Sequence, residues 1–368
     1  MIRRMLTIAT ASALVLITAG CSSPSGVASG TDADWTTPPD ASKIAEQAGA
    51  ITTYGLPDSW ANYGELLATF CEQHGADCTH ADTDMASSEA IQRYNAEKGN
   101  PVGFFNDIGG LWGPVAEDIG VTSGYLPKLV SELEPGQYAE TGGWVNSFTG
   151  VMGYLVNPAV APVPKTWDDL LSDDYAGGKI ASSALMGPNG GSEQAAILSI
   201  ALARGGDVGN LDAAWDYLSE LYATDNISSA PSSLDSLIRG EYAIYLQYDF
   251  NAIAAIEEAA AQGVELVYVV PEDGSIYMPS SLLANGYNTE HMDFIKGFMD
   301  FMISDEGQLL FADFGARPIR YVNGDLEIPE ERKSRWLPDE MFTNTQVIDL
   351  GDIDPEVLIS EYNKKAKA

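Results

Sequence analysis

The sequence predicts an α/β chain in two regions, and three observations predict it. Short apolar runs alternate with stretches whose apolar residues recur at helical spacing, and this alternation lies on both sides of an apolar segment at residues 142–156. In the first region several short runs feed directly into helices, the pattern of a mainly parallel sheet with helices on its faces. The 368 residues suit two domains of ordinary size or one large one, and the 45% hydrophobic content is that of a globular chain.

At the N-terminus, Arg3 and Arg4 precede an apolar run over 5–17, followed at once by Thr18-Ala19-Gly20-Cys21. A positive end, a short apolar segment and small residues lay out a signal peptide over 1–20, too short to span a membrane. Cys21 stands where the lipobox of bacterial lipoproteins, which this stretch resembles, carries its acylated cysteine; a lipidated, palmitate-bearing Cys21 is expected. Residues 21–40, rich in Ser, Gly, Thr, Pro and Asp, read as a flexible tether.

Strands are expected at 50–54, 77–82 and 102–105. Between them, Tyr63, Leu66, Leu67 and Phe70 mark a helix over 59–71, and Ala90, Ile91 and Tyr94 mark another over 89–98 with Ser87 as its N-cap. Residues 142–156 are apolar, aromatic and extended. Thr166 is placed to cap a short helix ending near Leu171. Residues 180–186 read as a strand, Gly187 to Ser192 as a dense breaker cluster, and Ala195, Ala196, Ile197 and Ile200 as the face of a helix after it. Helices over 212–222, 233–239, 251–261, 290–303 and 305–314 and strands over 243–246 and 264–270 follow, with further helices in 326–368 packed on the body.

Charge narrows the function. Nineteen basic against 53 acidic residues, a formal charge of −34, exclude the concentrated basic surface that nucleic acid requires. Cys71 and Cys78, seven apart in a chain with an export signal, most simply close a disulfide. His74 and His80 interleave with them, so a metal site remains the alternative, although the spacing is not that of a zinc motif. No G-x-S-x-G elbow, P-loop or G-x-G-x-x-G fingerprint occurs, and paired carboxylates are uninformative in so acidic a chain. An enzyme is not expected, and no cofactor is implied; a tethered hydrolase using Ser192 or a carboxylate beside the cleft is the competing class.

Several stretches resemble one family in order. Ile51-Thr52-Thr53-Tyr54-Gly55 with Phe70 and Gly75 is similar to the opening strand and helix of extracellular solute-binding proteins of ABC importers, in the iron(III), spermidine/putrescine, thiamine and phosphonate group. Glu97-Lys98-Gly99-Asn100-Pro101, Pro164 to Leu171, Gly240-Glu241-Tyr242-Ala243, Pro271-Glu272-Asp273-Gly274, Ser304-Asp305-Glu306-Gly307-Gln308 and Gly315-Ala316-Arg317-Pro318-Ile319-Arg320 continue the series. The resemblance implies a two-lobed, type II periplasmic-binding-protein-like fold with two hinge crossings, near 147–150 and 271–276, and a ligand trapped by closure. It implies lobe 1 over 41–147 and 273–325, lobe 2 over 148–272, and a monomer that delivers solute to a membrane permease driven by a cytoplasmic ATPase.

Ligands of open α/β sheets sit beyond the carboxyl ends of strands. The candidate contacts are therefore Tyr54, Asp58, Ser59, Trp60, Ser87, Ser88, Asn106, Asp107, Trp144, Asn189, Gly190, Gly191, Ser192, Tyr248, Asp249, Asn251 and Arg320. Asp58, Asp107 and Asp249 among aromatic rings suit an organic cation such as a polyamine, the reading given slight preference. The helix start at Gly191-Ser192, Ser87-Ser88 and Arg320 suit a phosphate or phosphonate. Ferric iron is weakened because Tyr248 is followed by Asp249 and not by a second tyrosine.

Overall fold

The computed structural model describes residues 33–351 and 353–366, so the expected signal peptide and Cys21 lie outside the described residues. Among the described residues, the strands are β1 (Ala50–Tyr54), β2 (Thr79–Thr83), β3 (Phe105–Gly109), β4 (Trp144–Val156), β5 (Ile244–Tyr248), β6 (Val267–Val269), β7 (Ser275–Ala284), β8 (Arg317–Pro318) and β9 (Thr345–Gln346). They join in the order β2-β1-β3-β7-β4-β5, with β6 and β8 against β4 and β9 against β7.

Two strands make this a two-lobed molecule. All 13 residues of β4 are buried. Its first part pairs antiparallel with β7, from Trp144↔Leu283 to Val151↔Tyr277, with a register shift between Asn146 and Phe148. Its second part, Met152 to Val156, pairs with β5, and Tyr154 to Val156 also with β6. β4 and β7 thus run from one lobe into the other side by side. β2, β1 and β3 are parallel, as the alternation predicts, but β3 meets β7 antiparallel. The first sheet is therefore mixed: β7 enters it while returning from the other lobe and must run against β3.

The helices are α1 (Ala41–Gln47), α2 (Tyr63–Gln73), α3 (Ser87–Glu97), α4 (Trp112–Ile119), α5 (Gly191–Ala203), α6 (Asp212–Ala223), α7 (Leu234–Ile238), α8 (Asp249–Ala261), α9 (Met292–Met302), α10 (Asp305–Phe314), α11 (Ile319–Val322) and α12 (Pro355–Glu361). The amphipathic pattern of α9 buries Phe294, Ile295, Phe298, Met299 and Met302. Phe70 of α2 meets the Phe294 and Phe298 rings edge-on at 5.2 and 5.5 Å. Each such fully buried side chain contributes roughly 1.5–3 kcal/mol. α5 differs, being buried on nearly every side as a helix between layers.

Local expectations fail where side-chain hydroxyls compete with the ladder. Residues 180–186 form no strand: Ile180 makes isolated bridges to Ile227 and Ile244, and Ser183–Leu185 turns as a 3₁₀ helix while Ser232 Oγ accepts the Ser183 N–H at 3.1 Å. Ser87 begins α3 and does not cap it; Ala86 is the cap, and Ser87 Oγ accepts the Gly109 N–H at 3.1 Å. Trp167, not Thr166, is the N-cap of the short helix Asp168–Leu171, although Thr166 Oγ1 one residue earlier accepts the Asp169 N–H at 3.2 Å. Residues 33–40, read as tether, pack on the body: Trp35 is buried and Lys296 Nζ donates to the Thr37 carbonyl at 2.9 Å. Cys71 and Cys78 form the expected disulfide. It ties the end of α2 to the approach to β2, leaving His74 Nδ1 2.9 Å from the Phe70 carbonyl and His80 against Asp58 and Thr53.

Candidate functional site

A cavity of about 350 Å³ lies between the lobes. One wall comes from the turn after β1 (Gly55, Pro57, Trp60), the end of β3 (Asp107 to Gly109) and the start of α3 (Met85 to Ser87). The opposite wall is the start of α5 (Gly190 to Glu193) and β5 running into α8 (Tyr245 to Tyr248, Phe250). Phe148 and Gly150 of β4 and Met278 to Ser280 of β7 form the floor, so the crossing strands lie directly beneath the cavity.

The lobes touch across it. Trp60 meets Phe250 and Tyr248 edge-on at 5.5 and 6.1 Å, and Tyr248 stacks on Phe250 at 5.5 Å. This ring pair requires a glycine in β4: a Cβ at Gly150 would stand 2.4 Å from the Phe250 ring and 2.8 Å from that of Tyr248. Gly109 and Gly191 meet backbone to backbone, and a Cβ on Gly109 would stand 2.6 Å from the Gly191 Cα. Trp60 is presented by a strained corner. Ala61 and Asn62 have φ of +46° and +73°, unusual for residues with a Cβ, and the Asn62 amide donates to the Leu310 carbonyl at 2.8 Å.

Asp107 is the buried acid of the cavity wall. Burial pushes its pKa up to about 7, while the hydrogen bond from the Ser280 hydroxyl and the polar groups of nearby Trp60 and Tyr63 pull the other way. None of the residues lining the cavity is a lysine, arginine or histidine. Glu193 is also raised by burial, and the N–H groups of Glu193 itself and Gly190 draw on its carboxylate. That carboxylate therefore occupies the helix start where an external anion would otherwise sit.

Of the residues singled out from sequence, Trp60, Ser87, Asp107, Gly190, Gly191, Ser192 and Tyr248 line the cavity. Ser88, Asn189 and Asn251 belong to the same local segments without lining it, as do Asp58 and Ser59; Asp58 instead stands 2.5 Å from His80 Nδ1. Tyr54 is buried, donating to Glu97 at 2.7 Å. Asn106 is fully buried one residue before Asp107, its side chain on the opposite face of the strand. Trp144 donates to Glu117 at 2.8 Å and lines a separate groove.

Two charged residues are engaged elsewhere. Asp249 pairs with Arg317 at 2.6 Å and accepts the Val151 N–H at 2.9 Å. Arg320 pairs with Glu132 and with Asp305 (2.6 Å), and donates to the Ile303 carbonyl at 3.1 Å. Sequence reasoning missed Phe148, Glu193, Ser280 and the Gly109–Gly191 contact. Glu193 was legible as the acid in the first turn after the breaker cluster; Ser280 had no local signal, because β4–β7 pairing delivers it.

The chain is 28% identical over 247 residues to a "probable ABC transporter periplasmic-binding protein" of Sinorhizobium fredii, a match over 65% of this chain and 64% of the relative's own length. Its fold is shared by a periplasmic binding protein of Actinobacillus pleuropneumoniae with fructose-6-phosphate bound (TM-score 0.65, 20% identity, 87% of this chain and 99% of that one). A spermidine/putrescine transporter substrate-binding protein of Streptococcus pneumoniae (TM-score 0.59, 18%, 87% and 99%) and a ferric binding protein of Campylobacter jejuni (TM-score 0.62, 18%, 86% and 98%) share it too. One fold thus serves three ligand chemistries, so it does not name the ligand here. Residues 119–345, well over half of the chain, match the bacterial extracellular solute-binding protein family, and the chain belongs to that family.

Proposed function

We propose that the protein is the extracytoplasmic solute-binding component of an ABC importer, and that its ligand is a compact organic cation of the amine class. The observation that carries the ligand reading is the pairing of buried, uncompensated Asp107 with the rings of Trp60, Tyr248 and Phe250, in a cavity with no basic lining residue. An ammonium group would neutralise Asp107 and lie against ring faces. Ser87, Ser192 and Ser280 supply the remaining polar contacts. The lobes then close by rotation about β4 and β7, and the loaded protein docks on a permease driven by a cytoplasmic ATPase. The division into 41–147 with 273–325, and 148–272, is retained as the moving bodies. Anchoring through acylated Cys21 and a monomeric state complete the reading; mass spectrometry of the native N-terminus tests the anchor.

A phosphorylated ligand is the second reading, because the start of α5 lines the cavity and the Actinobacillus protein of the same fold was solved with fructose-6-phosphate bound. Glu193 at that helix start and the engagement of Arg317 and Arg320 elsewhere weigh against it. Calorimetry separates the two. Putrescine or spermidine should bind, with a loss of about 1.5–3 kcal/mol in Asp107→Asn. Binding of fructose 6-phosphate or inorganic phosphate, with no amine bound, overturns the cationic reading.

A further inference from the structure

The residues beyond β9 lie outside the matched family stretch, which ends at 345, yet the described ones pack on both lobes. On the first lobe, Leu350 Cδ1 lies 3.4 Å from where a Cβ on Gly110 would stand, next to the cavity's Gly109. Ile359 of α12 packs against the cluster containing Trp112 and Trp144. On the second lobe, Trp215 of α6 donates to Glu361 at 3.1 Å, and Tyr362 shares a 3.1 Å hydroxyl contact with Tyr222. Lys365 pairs with Asp212 of α6 at 2.7 Å. The Tyr362 ring also reaches the breaker loop, its Cε1 3.3 Å from where a Cβ on Gly187 would stand, three residues before the cavity wall at Gly190. One short segment therefore holds the first lobe through Leu350 and Ile359 and the second through Glu361, Tyr362 and Lys365, while the lobes touch through Trp60–Phe250 and Gly109–Gly191.

We infer that residues 347–351 and 353–366 form a strap that stabilises the closed arrangement of the lobes and so lengthens the residence of the ligand. Contacts made to both lobes when they meet, and lost at one end when they part, bias the equilibrium toward closure by their differential strength. The inference rests on the binding-protein reading for its consequence, although not for its geometry. Ile359→Asn removes the apolar hold on the first lobe; Trp215→Phe keeps an aromatic ring but removes the donor to Glu361 on the second. Lys364→Ala, at an exposed position of the same segment, is the control.

Small-angle scattering of the full ligand-free protein should show a larger radius of gyration for Ile359→Asn than for the wild type. Stopped-flow release of putrescine should be about three- to tenfold faster, with Trp215→Phe shifted the same way and Lys364→Ala unchanged. Unchanged scattering and unchanged release in both strap variants would overturn the strap. Failure of the wild type to bind putrescine overturns the amine reading alone, and the ligand-free scattering still decides the strap. If Ile359→Asn does not fold, Trp215→Phe carries both measurements.

Discussion

Asp107 and Asp249 make an instructive pair. Asp107 lies in the middle of β3 in one lobe and Asp249 directly follows β5 in the other; each is buried, and burial raises the pKa of both. Around Asp249 the fold supplies Arg317, whose guanidinium lies 2.6 Å away and stacks over the Phe342 ring at 3.9 Å. Around Asp107 it supplies hydrogen-bond donors and rings but no lining cation. The first is a closed ion pair bracing β4 and α8; the second is left incomplete, facing a cavity. What distinguishes a site from a strut is the missing partner, not the burial.

The largest expected effect breaks the strut. Asp249→Asn leaves Arg317 buried with only Asp339, 3.8 Å away and highly exposed, as a counter-charge, and should cost about 3–5 kcal/mol in denaturant unfolding. Any change in affinity should follow from this loss and not from a missing ligand contact.

Asp107→Asn should do the reverse, weakening the proposed amine ligand while gaining stability at pH 8. The sign follows from linkage. With a folded pKa near 7 against an ordinary value of 3.8, the native state holds the proton longer than the unfolded chain. Stability contributed by Asp107 is therefore complete below about pH 4 and lost as pH rises through about 7, an upper bound near 4 kcal/mol. Thermal melts across pH 4–8 should show that decline in the wild type and a flatter profile in Asp107→Asn. Equal slopes would remove Asp107 as the buried acid.

Gly109→Ala tests whether the site needs the lobes to meet. Its Cβ would collide with the Gly191 backbone, so an affinity loss of about tenfold in calorimetry is expected, with little change in melting temperature if the lobes can part. Ser280→Ala has the smallest effect. It removes a donor to Asp107, should raise that pKa further, and should weaken binding of the proposed amine by about 1 kcal/mol.

Parts of both cavity walls were legible because their signals are local. The strand-ending turn to Trp60, the Asn106-Asp107 end of β3, the breaker cluster through Ser192 and Tyr248 before an Ala-rich helix all declare themselves within a few residues. Asp249 and Arg320 carry equally suggestive side chains, but nothing nearby in sequence told that Arg317, 68 residues on from Asp249, and Glu132, far from Arg320, would occupy them.

By itself, then, the sequence determined the alternation of elements, the two lobes, the cysteine pair and the family, because hydrophobic period, breaker residues and motif order act over short distances. Only the tertiary structure decided which buried acid lines the cavity, which rings meet across it, and that residues 350–351 and 359–365 touch both lobes. Those outcomes depend on the antiparallel pairing of β4 with β7 and on contacts between distant segments, where partners are chosen by packing and charge compensation that no local pattern encodes.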